Sequence, residues 1–248
     1  MTQVLASERV GVAHGNKTVN IMRTKTLVLT ALGSLSALGL MAQTSTNVYS
    51  LNAVGYINVT IPPGFSIIAD QLWASNGNAV SNILNDASGL YDFVSIYTWN
   101  GSQFNNDTAL AGSTPANWEN GGTIALNPGV GAWIQNPNTT NLTVTFVGTV
   151  PQGTNTVALS TGFNLISSPV PQSGFVSTDL GLTNMSDFDS VYVYTPGSGF
   201  FAPSFLPGSG SGYQNGWSPS EPTVNVGEGF WYQATAAINW TRVFSVNQ

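Results

Sequence analysis

One half of this chain repeats the other, and that repetition limits the fold more than any other feature. Gly64-Phe65-Ser66-Ile67-Ile68-Ala69 matches Gly162-Phe163-Asn164-Leu165-Ile166-Ser167. Gly129-Val130-Gly131-Ala132-Trp133 matches Gly227-Glu228-Gly229-Phe230-Trp231 with the same displacement of ninety-eight residues. Between these blocks, Val80 to Leu84 matches Val176 to Leu180, Asp92 to Tyr97 matches Asp187 to Tyr192, and Trp118 matches Trp217. Five blocks in one order define two copies of one module, expected at residues 43–150 and 151–248.

Each copy reads as short strands between turns. Ile57, Val59 and Ile61 alternate with Tyr56, Asn58 and Thr60, and Leu142 to Phe146 alternates the same way. Val191 to Tyr194 reads as a strand with two apolar faces. Asn100-Gly101 signals a tight hairpin, Pro196 to Gly199 takes the equivalent place, and Asn127-Pro128-Gly129 is a turn. The only helical spacing is one or two turns over Ala79 to Leu84, and Pro207 to Gly212 is a flexible loop. The expected fold is all-β: two tandem antiparallel β-sandwich or small-barrel modules. A Gly before an aromatic lets the chain turn sharply into a strand. In Gly-x-Gly-aromatic-Trp the glycines permit a bulge or a close backbone approach, and the Trp is expected to cover one end of a small core.

The basic residues are placed unevenly. Four of five, Arg9, Lys17, Arg23 and Lys25, precede residue 26. Met22 to Lys25 reads as a positive leader segment, Leu27 to Leu40 as its apolar core, and Met41-Ala42-Gln43 as a cleavage region. Fourteen apolar-core residues are fewer than the ~20 of a spanning helix, so a signal peptide over 22–42 is expected rather than an anchor. Residues 1–21 fit neither pattern and are read as an upstream start artefact. No second apolar segment of spanning length follows.

Beyond the leader the chain holds no Cys, His or Lys, and Arg242 is the only base against ten acids. Charged residues make up only 6% of the whole chain, against a usual ~25%. Nucleic acid and anionic membranes should be repelled. A Ser nucleophile lacks its usual activating base, and zinc lacks its usual ligands. Gly208 to Gly212 has no phosphate-loop Lys, and the Gly-x-Gly pairs lack the third glycine of a dinucleotide site. With no cysteine, neither a disulfide nor a lipid attachment is available, and stability must come from core burial. The strands, five to seven residues by pattern, fall short of the ~9–11 of a membrane barrel.

Gly162 to Val170 resembles the Gly-Trp-Asn-Leu-Ile-Ser-x-Pro opening of β modules in bacterial surface and secreted proteins. Those modules carry a later Gly-x-Gly-Tyr-Trp element, similar to Gly227 to Trp231. Asn47 to Asn58 resembles the start of secreted proteins from environmental Gram-negative bacteria. Phe65 and Phe163 stand where that family pattern shows Trp. The resemblance implies an extracellular or cell-surface β module with no established activity.

The remaining side chains suggest four sites, each with a plainer alternative. Trp118, Trp133, Trp217 and Trp231 recur in both copies and are expected in cores. Trp73, Trp99 and Trp240 have no Trp partner and are candidates for an exposed face that stacks on glycans. Asp187 and Asp189, read as leaving one strand face, could hold calcium, and Asn105-Asn106-Asp107 is a second candidate; turn and capping roles are the alternative. Glu119, Glu221 and Glu228 could serve glycoside hydrolysis, which needs only two carboxylates, or stand as solvated loop acids. The reading is a non-catalytic secreted or cell-surface structural or adhesion-type protein without a cofactor. Its expected partners are other copies of itself or surface polysaccharide. The alternative is a carbohydrate-binding protein, and a glycoside hydrolase comes third.

Overall fold

Side-chain alternation places the first strand. A computed structural model describes residues 53–85, 89–112, 116–206 and 216–246; the leader and the Pro207 to Gly212 loop lie outside them. In β1 (Val54–Ile61), Ile57 and Ile61 are buried while Val54, Tyr56, Asn58 and Thr60 face solvent. β1 pairs antiparallel along its whole length with β7 (Leu142–Thr149), which turns Leu142, Val144 and Phe146 inward. This ribbon lies on a sheet made of β2 (Gly64–Ile68), β3 (Ser95–Trp99), β4 (Phe104–Leu110), β5 (Asn117–Trp118) and β6 (Ala132–Asn136). Their order is β2-β6-β3-β4-β5, and every neighbour pair is antiparallel. Ile57, Ile61, Val144 and Phe146 from the ribbon join Ile68, Ile96, Ala132 and Ile134 from the sheet in one core. A single turn of helix, α1 (Val80–Ile83), adds Val80 to it.

The second half pairs in the same order. Its ribbon is β8 (Gly153–Leu159) with β17 (Ile238–Phe244). Its sheet runs β9 (Gly162–Ser167), β16 (Gly229–Ala234), β11 (Ser190–Thr195), β13 (Ser204–Phe205), β14 (Trp217–Ser218). β12 (Gly199–Phe201) extends the hairpin from β11, and β10 (Gly174–Phe175) pairs with β15 (Thr223–Val224). Leu159 and Trp240 from this ribbon meet Ile166, Val191, Phe230 and Tyr232 in a second core. Both cores belong to one compact unit, Ser50–Gln248. The fold is all-β, in several antiparallel sheets.

Asn100-Gly101 lies in the expected hairpin, between β3 and β4. Trp99 pairs with Phe104, leaving a four-residue loop in which the Asn100 side-chain oxygen accepts from Ser102 N and Gln103 N, each at 3.0 Å. The Asp187-Phe188-Asp189 stretch is a turn rather than a strand, and β11 starts only at Ser190. Phe188 there, and Phe93 at the matching place before β3, take left-handed backbone angles (φ 70° and 61°) that no strand residue adopts.

The halves join backbone to backbone at the Gly-x-Gly elements. Gly131 N donates to Leu165 O (3.2 Å), and Ser167 N donates to Gly129 O (3.1 Å). From the other side, Ala69 N donates to Gly227 O (2.9 Å). Buried Gln71 adds its side chain, which accepts from Gly227 N (2.9 Å) and donates to Ser168 O (3.2 Å). A Cβ on Gly131 would lie 2.6 Å from Ile166 O, and one on Gly229 would lie 2.9 Å from Ile68 O. Close backbone approach, rather than a bulge, is therefore what these glycines permit.

Candidate functional site

Strand alternation at this seam pushes one Trp outward from each half. In β6, Ala132, Ile134 and Asn136 are buried, so Trp133 and Gln135 take the opposite face; in β16, Phe230, Tyr232 and Ala234 are buried, so Trp231 and Gln233 do. The glycine contacts bring the two outer faces side by side. Cross-strand register then builds an aromatic wall on each. Tyr97 pairs with Trp133 across β3 and β6, and Tyr192 pairs with Trp231 across β11 and β16.

The two walls match ring for ring. Phe65 meets Trp133 edge-on at 6.0 Å and 89°, and Phe163 meets Trp231 at 5.9 Å and 89°. Trp99 lies 5.1 Å from Phe104, and Tyr194 lies 5.1 Å from Phe200. Each wall is completed by the other half: Tyr194 reaches Trp133 at 4.8 Å, and Trp99 reaches Trp231 at 5.7 Å. Two open pockets result. One of about 450 Å³ is lined by Phe65, Tyr97, Phe104, Trp133 and Tyr194. Its counterpart of about 440 Å³ is lined by Trp99, Phe104, Phe163, Tyr192, Phe200 and Trp231. Phe104 borders both, so the two pockets adjoin at its ring. No Asp, Glu or Arg is among these lining residues. Phe65, Phe104, Phe163 and Phe200 are each more than two-fifths exposed.

This arrangement changes the tryptophan assignments. Trp118 and Trp217 are buried, as expected of them. Trp133 and Trp231 are only half-buried and cover no core; they line the cleft. Of the three unmatched tryptophans, Trp99 stands in the cleft, fixed by an indole N–H donated to Phe163 O at 2.8 Å. Trp73 is exposed on the first ribbon's flank, bridged to Thr149, and lines neither pocket. Trp240 is fully buried, donates to Leu180 O at 3.0 Å, and packs near Phe230. It cannot stack on an external sugar, because Ile238 and Trp240 share the inward face of β17 with the second core.

The carboxylates are taken up in holding loops. Asp189 is buried and accepts from Ser186 N (2.8 Å), Thr235 N (2.6 Å), Thr235 Oγ1 (2.8 Å) and the Tyr232 hydroxyl. Burial and the adjacent carboxylate push the Tyr232 phenol up, which keeps it a donor. Asp187 is exposed on the preceding turn, so the two aspartates do not form the shared calcium face expected of them. Asp107 is likewise buried, accepting backbone N–H from Thr108, Asn120 and Gly122 at 2.8–2.9 Å, while Asn105 and Asn106 are exposed. Among the described residues no group of three metal-ligating side chains comes together. Glu221 is buried and receives the N–H and hydroxyl groups of Ser177 and Thr178. Glu119 is exposed on a turn. Glu228 accepts from Asn225 N and Nδ2, and partial burial raises its pKa from its ordinary value against those bonds. Asp70, buried beside the seam residue Gln71, is pushed up to about 7 by desolvation, against hydrogen bonds from Leu72 N and Asn78 Nδ2.

Comparison with protein-family models, curated proteins and solved structures finds no match to this chain.

Proposed function

We propose that this chain is an exported, non-catalytic adhesion-type protein whose duplicated β modules together carry a binding cleft. The observation that carries this reading is the pair of matched aromatic walls left open to solvent. Soluble proteins rarely leave contiguous apolar surface exposed without a contact to make. The leader-like residues 22–42 and the resemblance of Gly162 to Val170 to surface modules support export. The common pairing order of β1 to β7 and of β8 to β17 supports the duplication. The buried acids are engaged in loop architecture, which supports a role without catalysis.

The test is retention of the purified chain on a panel of polymers: neutral and acidic polysaccharides, and peptides. Wild type is compared with a Trp133→Ala, Trp231→Ala double variant. The wild type should be held by one class of polymer and the double variant released. Equal behaviour of the two proteins across the panel would overturn the reading.

A further inference from the structure

The cleft has a chemistry that narrows its occupant. Its walls are rings, and the outer face of each sheet becomes polar one step further from the seam. Gln135 lies two residues beyond Trp133 on β6, and Gln233 two residues beyond Trp231 on β16. The Tyr97 hydroxyl donates to Gln135 Oε1 at 3.4 Å, and the Tyr192 hydroxyl to Gln233 Oε1 at 2.7 Å. Each tyrosine donates to its glutamine's amide oxygen, and the N–H2 group of that amide is a further uncharged donor. Exposed Asn106, paired across β3 and β4 with Tyr97, adds another amide beside the first wall. Each half-site therefore presents an apolar, ring-lined surface with uncharged hydrogen-bonding groups at its edge. A pyranose ring has the complementary form: an apolar C–H face and a rim of hydroxyls.

Charge points the same way. No acid or base lines the cleft, and beyond the leader the chain has one base against ten acids. An anionic polymer would be repelled, and a cation would find only rings and no carboxylate beside them. The site is also double. Two equivalent pockets of about 450 and 440 Å³ sit side by side, related by the same correspondence that relates the halves. An occupant that fills both must present like units twice.

We infer that the cleft binds a linear, neutral polysaccharide laid across the seam, with sugar rings on Trp133 and Trp231 at once. This rests on reading the cleft as a binding surface. Each half-site alone stacks weakly. Joining them through one ligand makes the second contact intramolecular and multiplies the affinity.

Calorimetric titration of the full chain with neutral gluco-oligosaccharides, from disaccharide to octasaccharide, tests this. Affinity should climb with length, by at least about tenfold, and level off once both half-sites are filled. Trp133→Ala and Trp231→Ala should each return the long oligosaccharide to about the affinity of the short one. Gln135→Ala should weaken binding with an unchanged melting temperature. Trp133→Phe, which keeps a ring, should retain most of the binding and separates a stacking role from misfolding. Cleft-dependent retention of an acidic polymer or a cationic or proline-rich peptide, with no response to neutral sugars, would overturn the ligand class and leave the cleft standing as a binding surface. Length-independent affinity, or one Trp carrying the whole effect, would overturn the spanning geometry. If nothing binds in a cleft-dependent way, both readings fall.

Discussion

Replacing Gly131 with alanine isolates the seam on which the cleft depends. The backbone at Gly131 is outside the left-handed region, so alanine brings no conformational strain and the whole effect comes from one methyl group. That methyl would sit 2.6 Å from Ile166 O and 3.0 Å from Ile166 C and N. All three are backbone atoms, and no rotamer change relieves the clash. The seam has to open, and opening it loosens Gly131 N to Leu165 O and Ser167 N to Gly129 O. Two such bonds contribute about 1 kcal/mol each, and overpacking costs about 1–3 kcal/mol more. The expected loss is therefore about 3–5 kcal/mol, a large share of a typical ~5–15 kcal/mol. Gly229→Ala should cost a similar amount, since its methyl meets Ile68 O at 2.9 Å and Gly131 Cα at 3.0 Å. The double variant should lose less than the sum, because one opening relieves both clashes. Gly153→Ala is the control. Its φ of 72° makes alanine cost about 1–2 kcal/mol, but its Cβ would meet nothing within 4 Å. Equilibrium urea unfolding of the full chain measures all four. If Gly131→Ala proves no worse than Gly153→Ala, the glycines do not hold the seam and the account of the cleft's formation fails.

Two further outcomes follow from the same geometry. Trp217→Ala should cost about 3–5 kcal/mol, because the ring is fully buried and its indole donates to Ser177 Oγ at 3.0 Å, while half-exposed Trp133→Ala should cost clearly less; thermal melts that rank them the other way would contradict the burial assignment. Stability should also fall as pH rises: Asp70 has a folded pKa raised to about 7 against an unfolded value near ~3.9, so its stabilisation is complete below pH ~4, declines through the interval, and is gone above pH ~7, a span of up to about 4 kcal/mol that Asp70→Asn should flatten in urea melts at a series of pH values.

The β architecture was legible because it rests on period-two alternation and on turn residues with fixed backbone demands. Val54 to Ile61 and Leu142 to Thr149 fold as their patterns require, and Asn127-Pro128-Gly129 turns with Gly129 at φ 98° and Val130 N donating to Asn127 O. The cleft was less legible, for an instructive reason. Recurrence of Trp133 and Trp231 in both halves suggests core positions, yet recurrence shows only that two residues share an environment. A cleft built symmetrically from both halves satisfies that as well as two cores do. Alternation would have separated the cases. Trp133 and Trp231 each share a face with a glutamine, while Ala132 and Ile134, or Phe230 and Tyr232, occupy the other. Trp240 fails the opposite way: having no Trp partner suggested exposure, but Ile238 two residues earlier marks its face as apolar and inward.

The placement of the glycines two and four residues before each Trp links stability to binding. At Gly131 and Gly229 the two backbones are close enough to exclude a Cβ, so the segments leading to Trp133 and Trp231 start from one point of the seam. Two residues on, strand alternation sends Trp133 and Trp231 to the outer face, where each is met by a ring from the other half. Neither wall is complete within its own half, since Tyr194 closes the first and Trp99 the second. The contact that holds the halves together is thus the contact that assembles the cleft. Any change that opens the seam should therefore separate the rings as well, and cleft-dependent binding should be lost at lower urea in Gly131→Ala than in the wild type.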